Sequence, residues 1–126
     1  MAKGIDKKLD DAWSLLVKLR SGMKCEYCGK TETLNSHHIY TRRNRSTRWD
    51  VKNGICLCVS HHTFNSTFSA HQAPLEFIEW LKTYRNSEEI DSLKIKANST
   101  MKFMKFEKDI LLEELQKEIY DIKKTL

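Results

Sequence analysis

The sequence has no apolar run long enough to cross a membrane, and no apolar segment typical of secretion lies near its start. It also has no internal repeat and no low-complexity linker, so we expect one small domain. Only 40% of its 126 residues are hydrophobic, which predicts a thin core that gains much from a structural metal. In the cytoplasm, the location we expect, its four cysteines favour metal binding over disulfides.

Positive charge exceeds negative charge, with a formal net charge of +5, and the excess is concentrated in residues 42–52. Asp50 is the only acidic residue in that stretch. Such a segment is typical of a surface that binds nucleic acid, although a solvated loop is the alternative. We predict that DNA backbone phosphates contact the four arginines of this segment: Arg42, Arg43, Arg45 and Arg48.

Two pairs of soft metal ligands, each with two intervening residues, flank the basic segment: Cys25 with Cys28, and Cys58 with His61. This spacing is typical of a tetrahedral structural zinc site, and we predict that these four residues bind Zn²⁺. Two alternatives stay open. His62 could take the place of His61, and Cys56 could replace one ligand, although we interpret Cys56 as a small buried strand residue.

Helical periodicity and capping signals predict four helices, at about 5–20, 74–85, a short stretch from Ser87, and 101–124. The only proline, Pro74, lies in the first turn of the second. Between the first two helices, strands at 34–40 and 55–58 and a helix from Ser60 to about Phe68 would surround the metal ligands. The predicted fold is therefore α+β, a single domain over 1–126 with a core at about 23–70, an N-terminal helix 5–20 and a helical C-terminal extension 74–124.

The histidines not needed for zinc suggest hydrolysis of phosphodiester bonds, which requires a base and a cation. His38 is a candidate base because imidazole titrates near neutral pH. Neighbouring strand residues face opposite sides, so His37 must have a different role. Asn53 could orient the base, brace the hairpin or simply form a turn before Gly54. We interpret His71 as a loop residue, structural or solvated, with a further metal ligand as the lesser alternative.

The order Cys-x-x-Cys, His-His, Asn, Cys-x-x-His-His resembles that of the HNH nucleases, the ββα-metal family. The resemblance implies that His38 is the general base, that His37 and His62 bind a catalytic divalent cation, and that Asn53 orients the base. Many members have aspartate where His37 stands, and imidazole ligands favour Mn²⁺, Ni²⁺ or Co²⁺ over Mg²⁺. A second departure is His61, which stands where a fourth cysteine is usual.

A narrower similarity, over about residues 25–85, is to the NinG/Rap family of phage recombination proteins that cut branched DNA. It is carried mainly by Ser46-Thr47-Arg48-Trp49-Asp50. It implies a phage-encoded, metal-dependent DNA endonuclease in the host cytoplasm that acts on branched recombination intermediates. Trp49 could stack on an unpaired base, but a core position is the simpler interpretation. The last helix could pack on its own domain or on a second copy. The alternative function is a zinc-stabilised DNA-binding or interaction module without catalysis.

Overall fold

The computed structural model describes residues 3–126 and has an α+β architecture, as the sequence predicts. None of the helices in the described range is both long and apolar enough to cross a membrane. The elements follow in the order α1 (Lys3–Arg20), β1 (Leu34–His38), a 3-10 turn (Val51–Asn53), β2 (Gly54–Cys58), a π-helical turn (Ser60–Phe64), α2 (Pro74–Tyr84), α3 (Ser87–Ala97) and α4 (Lys105–Lys124).

The two strands pair antiparallel, with His37 opposite Ile55 and His38 opposite Gly54. All five residues of β2 are buried. On one face of the sheet Ile55 packs in a cluster with α2, and on the other Cys56 packs in a cluster with α1. Because side chains alternate along a strand, β1 directs His37 toward α2 and His38 toward α1. The prediction that these two histidines face opposite sides of the strand is confirmed.

Helix α1 lies against the sheet at a very short distance. A methyl group on the Cα of Gly54 would overlap the side chains of Val17 and Trp13. Glycine is therefore required here for close approach of backbone to helix. Trp13 and Leu16, both at most 2% exposed, bury the apolar face that the sequence predicts for this helix.

Helix α4 packs on α1 through the apolar face predicted for it. Leu115 is buried in the α1 cluster, and Leu111 and Ile119 pack against that cluster. Lys108 Nζ lies 2.8 Å from Asp6 Oδ1 and adds an ion pair between the two helices. The predicted stripe is thus covered within the chain itself, so a second copy is not needed to bury it.

Two predicted helix ends and one helix cap differ from the structure. The helix expected from Ser60 to Phe68 is a single π-helical turn ending at Phe64. The chain turns because Asn65 Oδ1 accepts hydrogen bonds from the backbone N–H groups of residues 67 and 68. Asn86 caps α3 by accepting from the N–H of residue 89. The last helix begins at 105 rather than 101.

The basic segment, predicted as a polar connection, is a series of turns fixed to two helices. Asn44 Nδ2 donates to Ala97 O (2.7 Å) and Ser46 Oγ donates to Lys96 O (2.7 Å), both at the end of α3. Trp49 is 4% exposed and donates through Nε1 to Asp10 of α1. Trp49 is therefore a core residue, and stacking on an unpaired base is excluded for it.

Candidate metal centres and catalytic histidine

The four predicted zinc ligands come together and could hold a metal ion. Their ligand atoms all lie within 4.8 Å of one another: Cys25, Cys28, Cys58 and His61. Cys28 Sγ is 3.9 Å from Cys58 Sγ, and Cys58 Sγ is 3.3 Å from His61 Nδ1. In a tetrahedral zinc site with Zn–S bonds of about 2.3 Å, sulfurs lie about 3.8 Å apart. The donor set and its spacing therefore fit zinc.

Two tight turns bring these ligands into place. The N–H of Gly29 donates to Cys25 O (2.8 Å), and Gly29 has a positive φ of 81°, which glycine adopts without strain. The second pair lies where β2 runs into the π-helical turn. Burial alone would raise the pKa of the Cys25 thiol, but backbone N–H donors from Cys58, Cys28 and Tyr27 bring it below its ordinary value. A lowered pKa favours the thiolate that binds metal.

The structure groups the residues that were open alternatives for this cluster in different places. His61 joins the cysteines, whereas His62 belongs to a second group of side chains. Cys56 is fully buried beside Trp13 in the α1 cluster and takes no part in either group. Cys58 reaches the metal ligands because β2 ends there.

The second group consists of three histidines. His37 Nδ1 is 3.1 Å from His62 Nε2, which is in turn 3.1 Å from His71 Nε2. Imidazole nitrogens bound to one ion at about 2.1 Å would lie about 3.0–3.4 Å apart. The group fits a divalent cation of the kind that imidazole favours. Its members come from β1, from the π-helical turn and from the loop before α2.

The electrostatics of His37 and His62 favour neutral imidazoles. Burial, together with the charges that His62, His71 and His38 would carry, lowers the pKa of His37 to about 3. Burial and then His71 also lower the pKa of His62. A neutral imidazole has the free lone pair that a metal ligand needs. His37 and His62 are thus ready to bind a cation without first losing protons at neutral pH.

His71 is the site residue that the sequence indicated least. It lies nine positions after His62 in a loop, and no ligand-spacing motif connects the two. The structure holds it in place because its backbone N–H donates to His62 O (3.0 Å). In the sequence only its residue type indicated a role, and this supported the lesser interpretation of His71 as a further metal ligand.

His38 lies on the opposite face of the sheet, flat against Trp13. The ring centroids are 3.8 Å apart and the planes differ by 9°. His38 Nε2 is 3.0 Å from the carbonyl oxygen of Arg48. A carbonyl only accepts hydrogen bonds, so Nε2 carries the proton and, in the neutral ring, Nδ1 carries the lone pair. Burial lowers the pKa of His38, which favours that neutral form.

Asn53 is completely buried and braces the hairpin. Its Oδ1 accepts from the N–H of Tyr40 (2.7 Å) and its Nδ2 donates to Tyr40 O (2.9 Å). Its own backbone carbonyl accepts from the N–H of Ile39 (2.8 Å). These contacts fix the chain just after His38. Among the roles considered for Asn53, the structure shows bracing of the backbone, not a hydrogen bond to the His38 ring.

The four arginines fall into two groups. Arg48, whose side chain is 17% exposed, binds both carboxylate oxygens of Asp10 through Nε (3.0 Å) and Nη2 (2.8 Å). Arg42 also reaches Asp10 (3.0 Å) but stays 63% exposed. Arg43 and Arg45 are exposed and form no ion pair with any residue in the described range. Arg48 is therefore occupied within the fold, and we leave it out of the DNA-contacting set.

A buried acidic side chain links the first cysteine turn to the rest of the fold. Glu26 Oε2 accepts from the N–H of Cys56 (2.7 Å), and Oε1 accepts from Tyr84 Oη (2.9 Å). Arg85 bonds to the same carboxylate (3.4 Å) and to Gly54 O (2.9 Å). Burial and then the charge of Glu26 raise the pKa of Tyr84 to about 12.

The chain matches no family model, no curated protein and no solved structure with which it was compared.

Proposed function

We propose that the protein is a metal-dependent DNA endonuclease in which His38 is the general base. The observation that carries this proposal is the convergence of His37, His62 and His71 on one face of the hairpin, while His38, the next residue of the strand after His37, has its Nε2 bonded to Arg48 O and its Nδ1 left to accept a proton. The motif order that resembles HNH nucleases supports the same reading. The preference for branched DNA implied by the narrower resemblance is part of this proposal.

His37, His62 and His71 would hold the catalytic cation. When bound, such a cation neutralises the charge that builds up on the phosphate and the leaving oxygen. Three protein ligands leave coordination positions open, as in catalytic rather than structural sites. Mn²⁺, Co²⁺ and Ni²⁺ suit imidazole nitrogen better than Mg²⁺ does, so we expect the activity to favour them.

His38 would take the proton of the attacking water at Nδ1. Arg48 O holds the opposite nitrogen in its protonated form, so the lone pair is fixed on Nδ1. Asn53 keeps the backbone after His38 in one position through Tyr40. The proton that His38 accepts can return to solvent or to the leaving oxygen once the bond has broken.

DNA would be held by its phosphates rather than read by its bases. Arg43 and Arg45 project from a segment whose backbone is anchored to the end of α3, so they present charge from a fixed position. Arg42 can add a third contact where it is exposed. Binding through phosphates predicts weak sequence preference and a strong dependence of affinity on salt concentration.

Zinc bound at Cys25, Cys28, Cys58 and His61 would be structural. Four protein ligands complete a tetrahedral shell and leave no position for substrate. The cluster joins the turn after α1 to the end of β2, and this holds the π-helical turn that carries His62. On this proposal the first cluster builds the site and the second performs the chemistry.

The decisive experiment is cleavage of supercoiled plasmid and of a four-way junction by wild type and His38→Ala with Mg²⁺, Mn²⁺, Co²⁺ or Ni²⁺. We expect wild type to cut and the variant to lose activity by about 100-fold or more while keeping its fold and one zinc. Faster cutting of the junction than of linear duplex supports the preference for branched DNA.

Two results would contradict the proposal. Wild type that binds DNA but cuts with none of these metals is a zinc-stabilised binding module. Equal cutting by wild type and His38→Ala assigns the activity to a contaminant or to another base. Gln72→Ala, an exposed neighbour of His71, serves as the matched control and should cut like wild type.

A further inference from the structure

We propose that helix α1 is part of the catalytic apparatus, with Trp13 and Asp10 as positioning residues for the imidazole of His38. The inference rests on the proposed role of His38 as base. Asp10 and Trp13 stand three residues apart in α1, so they lie on one face of the helix. Each controls a different degree of freedom of the His38 ring.

Trp13 fixes the plane of the ring. The near-parallel stacking of the two rings prevents the imidazole from tilting about its Cβ–Cγ bond. The indole cannot yield, because Trp13 is 2% exposed and its Nε1 donates to Asp50 O (2.8 Å). The ring of His38 therefore packs against an indole that is itself held in place.

Asp10 holds in place the carbonyl group of Arg48, which accepts the hydrogen bond from the His38 ring. Arg48 O, which receives the Nε2 proton, belongs to the peptide group between Arg48 and Trp49. Both flanking side chains bind the same carboxylate, Arg48 through Nε and Nη2, and Trp49 through Nε1 (2.8 Å). With both neighbours held by Asp10, this carbonyl keeps one direction, and His38 keeps one tautomer.

The arrangement is more specific than helix packing requires. An apolar pair of helix and sheet residues would bury the same area without a carboxylate that accepts from two consecutive residues of a distant loop. Base catalysis depends steeply on placement of the proton-accepting atom, so loss of either contact should slow the chemical step more than it weakens DNA binding. A role in stability alone predicts no such difference.

The same helix offers a matched control. Asp6, one turn earlier, also forms an ion pair with a distant lysine, Lys108 of α4, but does not bond to Arg48 or Trp49. Asp6→Asn therefore removes a comparable interhelical contact without releasing the carbonyl that holds His38. Trp13→Phe is the conservative variant, because it keeps a flat ring although it loses the hydrogen bond to Asp50 and part of the packing area of the indole.

The test measures kcat and KM for DNA cleavage by the zinc-loaded full chain. For Trp13→Leu and Asp10→Asn we expect kcat to fall about 10- to 100-fold with KM within about 3-fold of wild type. Trp13→Phe should recover part of the loss, and Asp6→Asn should keep kcat within about 2-fold although it also lowers thermal stability. Nitrogen-15 NMR of the His38 ring should show a single Nε2-protonated tautomer in wild type and a mixture in Asp10→Asn.

Equal kcat in folded Asp10→Asn and Asp6→Asn, with the His38 tautomer unchanged, would overturn the inference. If wild type does not cut DNA, the proposed function fails, but the NMR comparison still decides whether α1 fixes this ring. If Trp13→Leu does not fold, Trp13→Phe and Asp10→Asn carry the test.

Discussion

The two clusters of metal-ligating side chains differ in chemistry, origin and number of ligands. The first has three thiols and one imidazole, from two short segments, and Cys25 and Cys58 are buried while Cys28 is exposed. The second has three imidazoles from three separate segments, and His71 is exposed. Four soft ligands that close the shell are typical of a structural metal, whereas three ligands that leave a coordination position open are typical of a metal that meets substrate.

The comparison also shows how one turn serves two sites. His61 and His62 are consecutive, yet one joins the cysteines and the other joins His37 and His71. Consecutive residues of a helical turn point in directions about 100° apart, so adjacent side chains can reach different clusters. Any ion that orders the first cluster therefore also sets the position of the second.

The largest effect should follow from breaking the first cluster with Cys58→Ser. Structural zinc contributes about 10 kcal/mol or more to folding in small domains, which matches or exceeds the stability of most of them. We expect the variant to lose zinc and its cooperative unfolding transition, measured by zinc content and circular dichroism. Cys56→Ala, two residues away on the same strand, should keep one zinc. A folded, zinc-free Cys58→Ser would refute a structural role for this cluster.

Breaking the second cluster should leave the fold intact. His62 touches both of its partners, so we expect His62→Ala to abolish binding of the second divalent cation and to lower cleavage about 100-fold or more. Calorimetric titration with Mn²⁺ and the thermal unfolding midpoint measure the two effects separately. Loss of the fold together with the cation would mean that the second cluster is structural as well.

A smaller effect should arise where neither cluster is touched. Gly54→Ala places a methyl group against Val17 and Trp13, and overpacking of this kind costs about 1–3 kcal/mol. We expect the urea midpoint to fall while zinc content stays at one per chain. Wild-type stability in this variant would show that α1 can move away from the strand, contrary to the close packing described above.

The smallest effects should come from substituting arginines, and they should distinguish the exposed Arg43 and Arg45 from Arg48, which binds Asp10. Arg43→Ala and Arg45→Ala should each lower the slope of log affinity against log salt concentration by about 1, with no change in stability. Arg48→Ala should leave that slope unchanged and lower the free energy of unfolding by about 1–3 kcal/mol, because it leaves Asp10 short of partners. A lowered slope in Arg48→Ala would return this residue to the DNA-contacting set.

Local patterns predicted much of the fold. The ends of α2 and α3 and the pairing of the two strands follow from proline, capping and alternation signals that act within a few residues. The four ligand residues of the first cluster were predicted for the same reason, since each pair is complete within four positions. The opposite orientation of His37 and His38 could likewise be predicted from the two-residue period of a β-strand alone.

Long-range partners could not be predicted in this way. Within the basic segment Asp50 is the only acidic residue, whereas the partner of Arg48 is Asp10, 38 positions earlier. His71 joins its cluster through a loop with no periodic signal. The helix after Ser60 ends earlier than predicted because the side chain of Asn65 accepts a hydrogen bond from the following backbone and so favours a turn. The first two of these depend on the completed fold rather than on neighbours in sequence, whereas the turn at Asn65 is a local competitor that the helical pattern did not reveal.

Glu26 determines how much of the chain must be kept for the site to exist. A fragment that stops before α2 would retain every ligand of both clusters and His38, yet it would strip a 12% exposed carboxylate of Tyr84 and Arg85. Of its hydrogen-bond partners Glu26 would keep only the N–H of Cys56. Ile55 and Leu57 would also lose the apolar side chains of α2 that bury them. The residues that resemble a self-contained nuclease motif are therefore not portable: grafting them into another scaffold requires carrying the end of α2 along with them.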